Sequence, residues 1–175
     1  MEPWFIATET FGPADGDKWT GYVKWSGLGQ LDELISLDTM LCPTLLPEIK
    51  DDYWPHIVNA DGCLRFFTDL SFLRRQVADI ADGRILCVYR NPESPPILPA
   101  GLSGFSLVGY DLLDEWASIS ALSNCGGWPG ILDNSELSPN GLITSHTRAL
   151  QLRDLLARQF PQEPHAQCDV WAIFV

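Results

Sequence analysis

The stretch DVWAIFV, residues 169–175, is almost continuously apolar and decides how the rest of the fold is organised. A strand with one face in water alternates apolar and polar residues, whereas an unbroken apolar run is typical of a strand covered on both faces. We therefore expect an interior strand here. Its removal should take away part of the core rather than a tail.

Outward from this strand, four more segments have strand patterns. RILCVYR (84–90) and FSLVGYDLL (105–113) are apolar runs, and the first is expected to be buried. Because the connection between them has no room for a crossover helix, they are predicted to pair antiparallel. WFIAT (4–8) is predicted to form a hairpin with residues 19–25, where aromatic and polar residues alternate.

Residues 69–82 have the spacing of an amphipathic helix. Asp69 is a suitable N-cap, and apolar residues recur every three or four positions behind it. Gly83 is placed to end this helix in a left-handed conformation.

A second helical pattern covers residues 145–160, where Thr144 or Ser145 can cap the first turn. The order of elements predicts an α+β fold, with a mixed, mainly antiparallel sheet covered on one face by two amphipathic helices. A doubly wound parallel sheet is disfavoured because strands and helices do not alternate regularly. The 175 residues predict a single domain, in which an acidic hairpin and loop region, residues 1–60, packs on residues 61–175.

The chain is acidic and well able to form a core. Hydrophobic residues make up 46%, and 23 acids against 11 lysines and arginines give a net charge of −12. Such a charge opposes binding to phosphates, so direct nucleic-acid binding is not expected. The acidity is open to two interpretations, ordinary solubility or a surface that docks a basic partner protein.

The five cysteines are scattered without any CxxC pair, which argues against a disulfide framework and a zinc site. Cys63 and Cys87 lie in apolar runs and are expected to be small buried residues. The start of the chain lacks the pattern of a signal peptide, and no window of 18 residues is uninterruptedly apolar. These features predict a cytoplasmic protein that does not bind membranes.

One cysteine has a context that catalysis could use. Cys125 lies in NCGGW, where backbone N–H groups could face an oxyanion, and His146 could act as its base with Asp133 or Asn134 orienting the ring. The alternative is a buried cysteine in a glycine-rich turn, and this interpretation is favoured. The sequence therefore predicts a protein that is not an enzyme, with a small hydrolase as the competing function.

Three acids at a strand end form the second catalytic candidate. Asp111, Asp114 and Glu115 could act as paired carboxylates, although such a group is more often a solvated edge. Metal-binding spacings such as HExxH and phosphate-binding glycine motifs are missing from the sequence. We expect neither a metal nor a cofactor.

Seven tryptophans are the most unusual feature of the composition. Those at positions 4, 19, 25 and 171 lie in predicted strands and are expected to be core. Others lie in predicted loops beside carboxylates, where an exposed aromatic would anchor a basic partner. The predicted binding surface consists of Asp51, Asp52, Trp54, Asp111, Asp114, Glu115 and Trp116.

Two segments resemble small uncharacterised bacterial proteins, including the immunity-type proteins of toxin systems. The resemblance rests on VGYDLLD (108–114) and SALSNCG (120–126). It implies a compact, acidic, non-enzymatic inhibitor that binds a basic partner such as a toxin domain. It carries over no catalytic residues, and Gly109 is expected to serve structure, where the backbone needs room.

Overall fold

A computed structural model of the chain describes most of its residues. These are residues 2–58, 63–114, 119–123, 131–163 and 167–175. They contain four strands and three α-helices: β1 (Trp4–Glu9), α1 (Asp17–Ser26), α2 (Leu70–Gln76), β2 (Gly83–Arg90), β3 (Leu107–Asp114), α3 (His146–Gln159) and β4 (Cys168–Phe174). Among the residues described, no helix is both long and apolar enough to cross a lipid bilayer.

The strands form one sheet in the order β1-β2-β4-β3, with each neighbouring pair antiparallel. The predicted α+β class is therefore confirmed, and β4 is the interior strand that its apolar sequence predicts. The predicted pairing of residues 84–90 with 105–113 is wrong, because β4 lies between β2 and β3. Since both flanking strands run antiparallel to β4, they run parallel to each other.

The two faces of the sheet are covered in different ways. One face packs against α2 and α3 in a core that includes Leu73 and Leu152. The opposite face packs against irregular chain, which contributes Ile35, Leu37 and Phe66. The helices therefore cover one face, as predicted, and the other face is closed by segments that lack a regular hydrophobic period.

Both outer edges of the sheet are also covered. On β1, Phe5 and Phe67 exchange backbone hydrogen bonds of 2.8 and 2.7 Å. On β3, Tyr110 and Ile143 exchange bonds of 2.9 and 3.0 Å. Short crossings of irregular chain thus satisfy backbone groups that an edge strand would leave open.

Residues 19–25 form most of α1 and not the predicted strand. Trp19, Tyr22 and Trp25 recur every third residue, which suits a helix face as well as a strand pattern, and Gly27 ends the helix at φ 71°. Trp19 and Tyr22 are buried against Phe11, whereas Trp25 is 57% exposed. The predicted N-terminal hairpin and the core position of Trp25 are therefore wrong, and β1 pairs with β2 instead.

The other two helices are close to their predicted positions. Asp69 caps α2 by accepting a hydrogen bond from the Phe72 amide, and Ser145 caps α3 in the same way. However, α2 ends at Gln76, well before Gly83, which is the first residue of β2. The left-handed residue that precedes β2 is Asp82, at φ 60°.

Gly109 occupies an irregularity in the pairing of β3 with β4 where a larger residue does not fit. Its φ is +145°, and an added Cβ would lie 2.6 Å from the Leu142 Cβ and 2.9 Å from the Ile143 carbonyl oxygen. We expect Gly109→Ala to lower the free energy of unfolding by about 2–4 kcal/mol, because it adds backbone strain and a steric clash. Chemical denaturation measures this change.

Gly101→Ala is the matched control. An added Cβ there meets no atom within 4 Å, so the expected change is within about 0.5 kcal/mol. Equal stability of the two variants would contradict the role assigned to Gly109.

Candidate binding surface

A rigid turn presents Trp54 to solvent next to two carboxylates. We define the Trp54 turn as residues 51–54, of which Asp51–Tyr53 form a short 3₁₀ helix. Asp51, Asp52 and Trp54 are exposed, Trp54 to 57%, whereas Tyr53 is completely buried. Neither aspartate makes an ion pair within the part of the chain that the structure describes.

Tyr53 holds the turn in place from below. Its ring packs edge-on against Phe67 and Phe72, with centroid distances of 5.5 and 5.7 Å. Its backbone carbonyl accepts hydrogen bonds from the amides of His56 and Ile57 at 2.8 and 3.0 Å. The buried neighbour therefore fixes the position from which Trp54 projects.

Asp111 and Asp114 do not belong to this surface, which corrects the predicted set. Asp111 is 1% exposed and Asp114 is 7% exposed. Asp111 alternates along β3 with Tyr110 and Leu112, whose side chains point into the helix-covered core. Its carboxylate consequently lies on the opposite face, beneath residues 36 and 120. Glu115 and Trp116 lie outside the described residues.

The Asp111 carboxylate is fully occupied by internal donors. Oδ1 accepts from the Ser120 hydroxyl at 2.5 Å and from the Leu112 amide at 2.8 Å. Oδ2 accepts from the Ser36 hydroxyl at 2.7 Å and from the Leu37 amide at 3.3 Å. Burial nevertheless raises the pKa of this carboxyl, with the hydrogen bonds from Ser120, Ser36 and Leu37 opposing the shift.

Asp38 extends the same buried group. It is completely buried, and its Oδ2 accepts from the Ser120 amide at 2.9 Å, while its Oδ1 accepts from the Met40 amide at the same distance. The two aspartates thus tie residues 36–41 and 120–123 to β3. With its four acceptor positions used, Asp111 has none left for a substrate. Asp111 and Asp114 are therefore buried structural residues, and the solvated edge favoured by the sequence is wrong for them.

The cysteine-histidine hydrolase has no support from the residues described. His146 is 8% exposed, and its Nε2 lies 2.7 Å from the Pro92 carbonyl oxygen, to which it donates. Burial raises the pKa of the Cys42 and Cys87 thiols to about 12, which keeps both protonated and unreactive. Cys125 lies outside the described residues. Cys63 is exposed, whereas its apolar surroundings in the sequence predicted a buried residue.

The described ranges hold no group of three or more histidine, cysteine or acidic residues arranged to bind a metal. Comparisons with protein-family models, curated proteins and solved structures found no match to this chain.

Trp25 and Ile97 are among the exposed apolar residues that the sequence patterns do not predict. The exposure of Trp25 was not predicted because the pattern of residues 19–25 also fits a buried strand. Ile97 is 92% exposed and lies among four prolines between positions 92 and 99. That proline spacing is the signal that could have drawn attention to it, because prolines hold a loop in an extended shape.

Proposed function

We propose that this protein is a non-catalytic, inhibitor-like domain that binds a basic partner protein through the Trp54 turn. The observation that carries the proposal is the combination of an exposed Trp54, two exposed carboxylates and a buried Tyr53 beneath them. Aromatic side chains in rigid surroundings are the usual anchors of protein interfaces, and carboxylates without ion partners attract a basic surface. A toxin domain is the kind of partner that the resemblance to immunity-type proteins implies.

The turn suits binding because its backbone needs little further ordering. Tyr53 already fixes the backbone on which Trp54 stands, so less conformational entropy is lost when a partner closes over the indole. The net charge of −12 acts over longer distances and steers a basic protein toward the domain. Steering and anchoring are separate contributions, and they can be measured separately.

A photo-cross-linking amino acid at position 54 finds the partner and tests the surface. We expect it to capture one basic protein in cell extract, whereas the same amino acid at the exposed Gln151 on α3 does not. Capture of the same proteins from both positions, or of an acidic protein, would count against the proposal.

Binding kinetics with that partner then separate the two contributions. Asp51→Lys with Asp52→Lys should mainly slow association and flatten its dependence on salt, since steering is electrostatic. Trp54→Ala should mainly speed dissociation, by roughly 30-fold or about 2 kcal/mol, since it removes the anchor. Surface plasmon resonance measures both rates, and unchanged rates in both variants would exclude the Trp54 turn.

A further inference from the structure

The loop between β2 and β3 presents one aliphatic side chain almost entirely to solvent. We define the recognition loop as residues 95–99, Pro-Pro-Ile-Leu-Pro, with Ile97 at its centre and 92% exposed. A single exposed aliphatic residue is ordinary on a protein surface. What distinguishes Ile97 is the set of contacts that hold its loop at both ends.

The chain entering the loop is anchored by Asn91. This residue has a left-handed φ of 46°, which is uncommon outside glycine. Its amide donates to the Val170 carbonyl oxygen at 2.7 Å, its side-chain oxygen accepts from the Val170 amide at 2.9 Å, and its side-chain nitrogen donates to Asp169. The buried His146 adds its bond to the Pro92 carbonyl. These four hydrogen bonds fix the direction in which the chain enters the loop.

The chain leaving the loop is anchored as well. Pro99 is extended, at φ −57° and ψ 151°, and its carbonyl oxygen accepts from the Leu102 amide at 2.9 Å. Leu98 packs against the helix-covered core, while Pro95, Ile97 and Pro99 are exposed. Exposure alternates along the loop, so the chain runs like a strand with Ile97 on its outer side.

The backbone of the recognition loop is open to a partner. Within the described chain, the amides of Ile97 and Leu98 make no backbone hydrogen bond. A cleft of about 500 Å³ lies beside the loop and is lined by Tyr89 of β2 and by residues 92–97. The loop therefore presents main-chain groups that are free to pair with another chain, while Leu98 keeps it packed on the domain.

We infer that the recognition loop occupies the substrate cleft of a peptidase, with Ile97 in a pocket that takes a branched aliphatic side chain. Peptidase clefts bind extended backbone and select one central side chain, and the loop offers both. The prolines and the anchors at Asn91 and Pro99 have already ordered the loop, which reduces the entropy lost on binding. The same anchors hold the loop in place against cleavage. The recognition loop shares no residue with the Trp54 turn, so the two proposals stand independently.

Inhibition of three purified proteases tests the inference. Pancreatic elastase, subtilisin and chymotrypsin are assayed on small chromogenic substrates with the full chain as inhibitor. We expect at least one to be inhibited with a Ki of about 1 μM or below, and Ile97→Asp to raise that Ki by about 100-fold. Met40→Asp places the same charge at another exposed apolar side chain, which is 74% exposed, and as the matched control it should leave the Ki unchanged.

A second variant tests the anchoring. Asn91→Gly tolerates the left-handed backbone but removes the side-chain bonds, so it should raise the Ki and turn the loop into a cleavable substrate. Mass spectrometry then detects cutting within residues 95–99. No inhibition of any of the three proteases, rapid cutting of the unaltered loop, or inhibition that survives Ile97→Asp would each overturn the inference.

Discussion

Deleting residues 168–175 is expected to leave a chain that does not fold. β4 pairs with both β2 and β3, so the deletion removes two ladders of the four-stranded sheet. It also removes four large buried apolar side chains, Val170, Trp171, Ile173 and Phe174. Burial of each contributes about 1.5–3 kcal/mol, roughly 6–12 kcal/mol together. The whole stability of a domain is only about 5–15 kcal/mol, so little or nothing remains.

The measurement is the loss of dispersed amide signals by NMR and of cooperative thermal unfolding by circular dichroism. A synthetic peptide of residues 167–175 serves as the control. Its addition should restore the signals if the missing strand alone causes the loss. A truncated chain that still melts cooperatively would show that β4 is dispensable, contrary to its central place in the sheet.

Asp111→Ala is expected to have the largest effect of any single substitution considered. It leaves four buried donors without their acceptor, from Ser36, Leu37, Leu112 and Ser120. Each unsatisfied buried donor costs about 1–3 kcal/mol, and partial rearrangement should hold the total at about 3–5 kcal/mol. Chemical denaturation measures this loss, and Asp52→Ala at the exposed turn is the control, expected to change stability by less than about 0.5 kcal/mol.

The pH dependence of the free energy of unfolding identifies the charge state of Asp111. Because burial raises its pKa in the folded protein, its contribution to stability is complete below the pKa of the unfolded chain and is lost as pH rises through the folded pKa. The stability of the unaltered protein relative to Asp111→Asn should therefore fall as pH rises. An increase with pH would show instead that the four donors hold the carboxylate ionised.

Asp133 supplies a control of opposite sign. Hydrogen bonds from Ser135 lower the pKa of this exposed carboxyl, so its contribution is present above the unfolded pKa and is lost as pH falls. The stability of the unaltered protein relative to Asp133→Asn should rise with pH. The two comparisons together separate the effect of burial from that of hydrogen bonding.

The parts of the fold that the sequence predicts are those with one unambiguous periodicity. The apolar run of β4 lacks the polar residues at helical spacing that an amphipathic helix would show. For α2 and α3, the N-caps Asp69 and Ser145 mark where each helix begins. Over a segment as short as 19–25, the spacing of Trp19, Tyr22 and Trp25 fits both a strand and a helix. The flanking glycines at 16 and 27, which cap the helix, are the residues that distinguish the two.

The candidate surface could be predicted only where the exposure of a side chain depends on the residues next to it in the sequence. Trp54 and its two aspartates lie in a proline-rich segment, and such segments run over the surface. Asp111 and Asp114 are buried by residues far away in the sequence, such as Ser36 and Ser120. Those segments cover the sheet without a helical or strand period, so nothing in the sequence near Asp111 and Asp114 indicates that they are buried.

The covered edges of the sheet limit how this protein can meet another. Crossings at Phe67 and Ile143 occupy the outer backbone groups of β1 and β3, so neither strand can act as a template for a strand from a neighbouring molecule. Assembly into fibrils by edge-to-edge pairing is opposed for the same reason. Other proteins can therefore contact this domain through its projecting side chains and its loops. Such contacts discriminate among partners by shape and charge, whereas pairing with an open strand edge would accept almost any extended chain.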